Sequence, residues 1–303
     1  MKKLLDAGCR TYCVTYEQAQ VVVLENRQIR LAALPQYGAG VIEYCYKPLD
    51  CNLIWRTPLW KENLIYKRYM LSSPEALGAC YLGGWFEVFP CFGPGEDGNG
   101  GTYPYHGELN YLPWKYTVLQ DTPELVSICF QTTLLRQAVR AEKILTIRKG
   151  STEIEITLSL ENLGPVAVPY HLAIPPTRGK PFLNEHCRIF LADRDLGSFP
   201  QEGSCINTLP GYENLEEGRF LVQSPDTGLE VSMEWDLRDF PCASVWTAAN
   251  YNYGHHNHGG VYALCILPRD SLVEGVPAET AKWLQPGETW ATNYRMKTAE
   301  SPI

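Results

Sequence analysis

One stretch of alternating apolar and polar residues constrains the fold of this chain more than any other feature. Residues 141–147 and 153–160 flank a short run of turn residues at 148–151, and in the second stretch every other residue from Ile154 to Leu158 is apolar. Successive side chains of a strand point to opposite faces of a sheet. The pattern therefore predicts a β-hairpin with one buried face and one wet face.

Comparable short runs, separated by turn residues, recur along the chain, and helical patterns are few. Sandwiches of this length often form one domain, so we expect residues 1–303 to make a single all-β domain built as a sandwich. The further strands are predicted at residues 21–24, 29–34, 40–46, 188–191, 219–222, 229–235, 243–247, 261–267 and 289–296.

Charge and cysteine content exclude several classes of partner. The net charge is −8 and no basic stripe is present, which argues against nucleic acid. No apolar run is long enough to span a membrane. Asp6 and Arg10 interrupt the start before a signal-peptide core can form. The eleven cysteines include no Cys-x-x-Cys pair, which favours buried, reduced thiols and a cytoplasmic location.

Two histidines stand out as candidates for chemistry. His106 lies in a Tyr-His-Gly-Glu context after a loop rich in glycine and aromatic residues, and His171 ends the strand-like run VPYH. Neighbouring strands could carry both imidazoles into one cleft. Because the ordinary pKa of histidine lies near neutrality, such a pair suits proton transfer. Each histidine could instead be satisfied by backbone partners in a turn or core.

The order of several motifs resembles the aldose 1-epimerase (galactose mutarotase) superfamily. The motifs are GG, HGEL and PW, then SLENLGPVAVPYH, VWTAAN, YALCILP and WLQPGETW, and the similarity runs from about Gln36 to Tyr294. It implies a galactose mutarotase-like antiparallel β-supersandwich with a sugar cleft. It also implies that His171 protonates the sugar ring oxygen and that His106 holds and polarises the same region.

The resemblance further implies a glutamate base near the C-terminus, but Leu267 stands at the expected position. Three explanations remain open. The alignment could be shifted, so that Glu274 or Glu279 supplies the base. Glu87 or Glu108 could have taken over, although each could equally be a strand-edge carboxylate. Otherwise catalysis is lost and the fold only binds sugar.

Other residues are candidates for contact with a monosaccharide. Flat rings can pack on a pyranose while polar groups hold its hydroxyls, although aromatic residues of a sandwich more often belong to the core. We expect the substrate contacts to come from Glu87, Glu108, Trp85, Tyr105, Arg178, Asn250 and His255. The histidine-rich run 255–258 could hold a metal, but we favour a substrate-rim role, because adjacent histidines rarely share one tetrahedral centre.

Two functions follow from these residues. The first is a cofactor-free aldose 1-epimerase-like enzyme that interconverts the anomers of a free or acidic monosaccharide. The alternative is a non-catalytic carbohydrate-binding or sensing protein on the same fold, which Leu267 motivates. A metal-dependent sugar isomerase or lyase is a weaker third possibility.

Overall fold

The computed structural model describes residues 8–16, 19–57, 82–96, 101–249 and 260–301. Within them the regular structure is almost entirely β, with one short 3-10 helix at Lys47–Leu49 and no α-helix. No helix among these residues is long and apolar enough to cross a membrane. The prediction of an all-β chain is confirmed.

Twenty-one strands follow one another in the described residues. The first eleven are β1 (Arg10–Tyr16), β2 (Ala19–Glu25), β3 (Ile29–Leu34), β4 (Gly40–Tyr46), β5 (Cys51–Asn52), β6 (Lys115–Asp121), β7 (Leu125–Thr133), β8 (Val139–Arg148), β9 (Glu153–Asn162), β10 (Val168–Tyr170) and β11 (Thr177–Gly179). The remaining ten are β12 (Arg188–Leu191), β13 (Arg194–Ser198), β14 (Asn207–Thr208), β15 (Gly211–Tyr212), β16 (Arg219–Ser224), β17 (Leu229–Trp235), β18 (Cys242–Ala249), β19 (Tyr262–Arg269), β20 (Lys282–Leu284) and β21 (Thr289–Glu300).

These strands form antiparallel sheets of very different size. The largest has nine strands in the order β13-β12-β16-β17-β21-β9-β8-β7-β6. A five-stranded sheet follows the chain from β1 to β5. A second five-stranded sheet has the order β11-β19-β18-β14, with β15 also paired to β18, and β10 pairs with β20 in a small ribbon.

The predicted hairpin is the centre of the large sheet. β8 and β9 pair from Val139 opposite Asn162 to Ile147 opposite Ile154. In both strands buried residues alternate strictly with partly exposed ones, as the sequence pattern predicts. The buried face joins one continuous hydrophobic cluster that extends from Cys9 to Met296 and takes side chains from all the larger sheets.

The second five-stranded sheet carries the candidate site. One of its faces packs on the main core, and the other face packs on a separate group of residues that includes the site. Paired residues of adjacent antiparallel strands lie on the same face. Leu264 and Ile266 therefore point with Val245 into the main core, whereas Cys265 and Leu267 point the other way. On that second face they join a smaller apolar cluster with Phe86, Val88, Phe92 and Ala173, against which Trp246 packs. We call this second face the site face.

Candidate functional site

Both candidate histidines are fastened to one chain segment, residues 88–93. The His171 amide donates to Pro90 O at 2.7 Å, and the His106 amide donates to Gly93 O at 3.0 Å. The same segment receives the amide of Gly275 at Phe92 O, at 2.8 Å. Residues far apart in the sequence are thus hydrogen-bonded to one run of six residues. We call residues 88–93 the mounting segment.

His106 lies in a tight turn with an unusual backbone. Its φ is +68° and that of Gly107 is +74°, and the Gly107 amide donates to Pro104 O at 2.8 Å. Non-glycine residues rarely adopt the left-handed region, and such strain often accompanies functional sites. The turn directs the imidazole back to the mounting segment, where the Gly93 amide donates to His106 Nδ1 at 2.9 Å.

This contact fixes the chemistry of the imidazole. Because Nδ1 accepts a hydrogen bond, the proton of the neutral ring belongs on Nε2. Burial, and then the positive charge of Arg269, lower the pKa of His106 from 6.5 to about 3. His106 is therefore a neutral Nε2–H donor near pH 7, which suits holding a sugar oxygen and does not suit supplying a proton.

Arg269 is a functional candidate that sequence analysis missed. It ends β19 on the site face, two residues after Leu267, and its guanidinium lies 3.8 Å from the ring centroid of Phe92. Nη1 donates to Ser244 Oγ at 3.1 Å and Nη2 to Val273 O at 3.0 Å. Nε is buried and has no protein partner within the described ranges. The sequence did offer one signal for Arg269. It stands two residues after Leu267, and residues two apart in a strand point to the same face.

Glu274 is an exposed carboxylate beside this cluster. A methyl group placed on Gly93 would lie 3.3 Å from Glu274 Oε2, so the carboxylate flanks the peptide that binds His106. Its negative charge also acts on Arg269. The side chain is exposed and can meet a ligand. Glu279 is exposed too, but it lies further along the loop, next to Thr280.

His171 is buried, and the exposed fraction of its side chain is only 1%. Nδ1 lies 3.1 Å from Asp270 Oδ2, and the Leu172 amide donates to Asp270 Oδ1 at 2.8 Å. Nε2 lies 3.3 Å from Thr280 Oγ1. Both ring nitrogens thus have side-chain partners, and the described residues shield the ring from solvent. Asp270 and Thr280 were not singled out from the sequence.

Leu267, at the position where the resemblance implies a base, is apolar and buried on the site face. Tyr105 is half-buried, and its ring centroid lies 4.2 Å from that of His106. Glu274 is thus the candidate base that flanks Gly93, the hydrogen-bond partner of His106, and Tyr105 puts an aromatic ring next to the same histidine.

Glu87 and Trp85 lie in the protein core, not on a ligand-facing surface. Glu87 Oε2 accepts from Lys143 Nζ at 2.7 Å, and Oε1 accepts from the Tyr294 hydroxyl at 2.8 Å. Lys143 Nζ also donates to Ala39 O at 2.8 Å. The Trp85 ring is buried 6.0 Å from that of Tyr294. Burial and Glu87 raise the pKa of Tyr294 well above 10. The expected sugar contacts of Glu87 and Trp85 conflict with this placement.

Glu108 and Arg178 are also occupied by the protein itself. Glu108 is fully buried, and its Oε2 accepts from the amides of Leu135 and Arg136 at 3.1 and 3.3 Å. Arg178 pairs with Leu264 and so points into the main core. There Nη1 donates to Pro176 O at 2.7 Å, and burial lowers the Arg178 pKa to about 10. Neither side chain reaches the site face, contrary to the sequence-based expectation.

The remaining candidates, Asn250 and His255, lie outside the described residues. Within the described ranges, no group of three histidine, cysteine, aspartate or glutamate side chains could hold a metal ion.

Several solved structures are similar to this chain over nearly its whole length. A proposed aldose 1-epimerase from Klebsiella pneumoniae has a TM-score of 0.73 at 15% identity, with 98% of this chain and 89% of that one covered. A galactose mutarotase-like protein from Clostridium acetobutylicum has a TM-score of 0.64 at 14% identity, with coverage of 97% and 99%. This chain has the galactose mutarotase-like fold.

A galactose mutarotase related enzyme from Lactobacillus acidophilus extends the same similarity, with a TM-score of 0.60, 14% identity and coverage of 96% and 98%. No protein-family model and no curated protein matches the sequence. The predicted fold is confirmed, and the low identities characterise the chain as a divergent example of the galactose mutarotase-like fold.

Proposed function

We propose that this protein is an aldose 1-epimerase-like enzyme that interconverts the anomers of a free or acidic monosaccharide. The observation that carries the proposal is the cluster on the site face, where the Nε2–H donor of His106, the Arg269 guanidinium and the Glu274 carboxylate surround Phe92 and Gly93. Ring opening of an aldose requires a base, an acid and a donor that holds the sugar; the cluster supplies the base and the donor, and His171 on the same mounting segment supplies the acid.

In this reaction Glu274 accepts the proton of the anomeric hydroxyl while the ring oxygen is protonated. The C1–O5 bond breaks, the aldehyde rotates, and the ring closes on the other face with the protons returned. His106 Nε2–H holds an oxygen next to the reacting carbon, and His171 is the source of the ring-oxygen proton. The reaction changes no oxidation state, so the proposal includes no cofactor.

Arg269 and the aromatic rings bear on the substrate class. Arg269 is buried and both of its Nη atoms already donate to protein oxygens, so it acts on a ligand through its positive charge, which attracts a carboxylate or phosphate. Trp246, half-buried on the site face, offers a flat surface for a pyranose. These features favour an acidic monosaccharide, and they make Trp246 a better ring platform than the buried Trp85. Cytoplasmic location remains a prediction.

Substitution of the base tests the proposal directly. Glu274→Gln should lower the rate of anomer exchange, followed by NMR for a panel of neutral and acidic aldoses, by about two to four orders of magnitude. Glu217→Gln, at an exposed glutamate elsewhere, serves as the matched control. A wild-type rate in Glu274→Gln together with a large loss in Glu279→Gln would transfer the role of base to Glu279.

A second candidate function is that of a sugar-binding protein without catalysis. The buried Leu267 favours it, because a leucine at the position of the implied base cannot accept a proton. In that case an acidic sugar would raise the melting temperature of the wild-type protein, while no aldose of the panel would anomerise faster than in buffer. The two results together would exclude the enzyme and retain the binding function.

A further inference from the structure

A buried histidine, a buried carboxylate and an exposed hydroxyl form a continuous chain beside the site face. Asp270 Oδ2 lies 3.1 Å from His171 Nδ1, and His171 Nε2 lies 3.3 Å from Thr280 Oγ1. His171 and Asp270 are almost completely buried, whereas Thr280 is exposed to solvent. The threonine hydroxyl therefore covers Nε2 and is the exposed end of this chain, and in the structure it donates its proton to Pro277 O at 3.3 Å.

We propose that the Thr280 hydroxyl touches the sugar and passes a proton between His171 and the ring oxygen. This inference rests on the proposed function, because it names the group through which the acid of that reaction acts. It makes Thr280 a catalytic residue, and it makes His171 and Asp270 residues that act through it.

The proton balance of the relay is simple. Asp270 accepts from the Leu172 amide and from His171 Nδ1–H, so the Nδ1 proton stays in place. When the sugar binds, the Thr280 hydroxyl rotates its proton from Pro277 O to the ring oxygen. When the ring opens, the Nε2 proton of protonated His171 moves to Thr280 Oγ1, and the hydroxyl proton of Thr280 moves to the ring oxygen as the C1–O5 bond breaks. Glu274 takes the anomeric hydroxyl proton at the same time. Ring closure reverses each transfer and restores all groups.

The three residues also resemble a nucleophile, base and orienting acid for acyl transfer, but the backbone argues against that chemistry. Stabilising a tetrahedral oxyanion needs free amide donors beside the nucleophile. The amides of Thr280 and Ala281 both donate to Pro277 O, at 3.0 Å. The two amides nearest to the hydroxyl are thus already used, which favours proton transfer over nucleophilic attack.

The loop that follows β19 carries both the proposed base and the proposed relay hydroxyl. It is held at Asp270 by the Leu172 amide and at Gly275 by the mounting segment. Glu274 and Thr280 are therefore exposed side chains of one loop that is anchored next to both histidines. A single sugar bound along this loop would meet the base and the relay hydroxyl.

The test compares three substitutions of Thr280 in the full chain, using the most rapidly anomerised aldose of the panel. Thr280→Val should lower kcat about 100-fold or more while KM changes little, because only the proton path is lost. Thr280→Ser keeps the hydroxyl and should remain within about 10-fold of wild type. Thr280→Ala removes the hydroxyl without added bulk and answers the question if valine disturbs the fold. Thr117→Val, at an exposed threonine of β6, is the matched control.

The outcomes separate the relay from the proposed function. If the wild-type protein accelerates no aldose, the proposed function fails and the relay falls with it. If the wild type is active and both Thr280→Val and Thr280→Ala keep its kcat, only the relay is overturned. Equal losses in the serine and valine variants would also overturn it, as would labelling of Thr280 by a fluorophosphonate, which would indicate a nucleophile.

Discussion

At the scale of single residues, the most consequential feature outside the site is the ion pair between Glu87 and Lys143. The two side chains are 2% and 1% exposed and lie 2.7 Å apart. Tyr294 and the Ala39 carbonyl complete their hydrogen bonds. Removing one partner of such a pair leaves an uncompensated buried charge, which costs far more than an exposed pair contributes.

Lys143→Met should therefore lower the free energy of unfolding by about 3–5 kcal/mol, measured by urea denaturation. The control is Lys149→Met, because Lys149 and Glu124 form an exposed pair that contributes at most about 1 kcal/mol. The double variant Lys143→Met with Glu87→Gln should regain part of the loss, since no buried charge is left. Equal stability of the two lysine variants would contradict the argument.

The low pKa of His106 has a measurable consequence for stability. The unfolded chain binds a proton at this residue near pH 6.5, whereas the native protein does so only near pH 3. Protons bound only by the unfolded state stabilise that state, so the contribution of His106 is lost as pH falls below about 6.5, by up to about 1.4 kcal/mol per pH unit.

The difference in unfolding free energy between the wild-type protein and a His106 variant isolates this effect. Between pH 7 and pH 5 the free energy of unfolding should fall more in the wild-type protein than in His106→Gln, measured by urea denaturation at each pH. Other titrating groups cancel in the difference. A larger decline in the variant would mean that the native state, not the unfolded one, holds the extra proton.

Sequence could identify the two histidines as candidates but not their partners. His106 and His171 occur in recognisable strings, whereas Asp270 lies 98 residues from the Leu172 amide that it accepts from. Arg269 and Asp270 look like ordinary turn residues after a strand. Their importance comes from β19 ending beside the mounting segment, which no local pattern indicates.

At the scale of elements, the alternating strands were predictable and the edges were not. The predicted hairpin corresponds to β8 and β9, and six of the later predictions correspond to β12, β16, β17, β18, β19 and β21. β1 and β6 were missed because most of their residues are exposed, so no apolar face marks them. Strands of two or three residues, such as β10 and β20, are too short to show an alternating pattern and are defined by their hydrogen bonds to each other.

Two glycine turns with similar backbones allow a matched test of the His106 turn. Gly107 and Gly150 have φ of +74° and +69°, but a methyl group on Gly107 would lie 2.0 Å from Phe89 O, while one on Gly150 would meet nothing within 4 Å. Gly150→Ala should cost about 1–2 kcal/mol from the backbone alone. Gly107→Ala should cost a further 1–3 kcal/mol or so from the overlap, measured by urea denaturation. Equal costs would contradict the close approach.

At the scale of the whole molecule, the all-β class follows from the sequence but the sheet order does not. β9 pairs with β21 and β17 pairs with β21, contacts between segments far apart in the chain. Periodicity reports which face of a strand is buried and says nothing about which strand lies beside it. The family resemblance implied an antiparallel β-supersandwich, which is confirmed, but it did not give the order of the strands.

Most of the described cysteine thiols are buried, so their rate of chemical modification reports how readily the fold opens. All ten described cysteines are free, and among them only Cys13 and Cys205 are exposed. Burial raises the pKa of Cys91 and Cys265 to about 12, which further suppresses their reactivity.

In a Cys80→Ser background, which removes the one cysteine outside the described residues, a thiol reagent should therefore modify two thiols rapidly. The half-buried Cys129 should react more slowly, and the seven buried thiols should react only as fast as the protein opens or unfolds. Replacing Cys13 and Cys205 by serine should abolish the rapid phase, and a rapid phase that persists for more than the one half-buried thiol of Cys129 would show that a buried strand opens readily.

The mounting segment has a consequence for how this protein can change. Residues 88–93 anchor the peptides of both histidines and of the loop that carries Glu274. A displacement of this segment moves both histidines and the Glu274 loop together and so preserves their mutual geometry, whereas an insertion on either side of the segment would separate them. New specificity is therefore more easily acquired through side chains at the rim than through any lengthening of this short stretch.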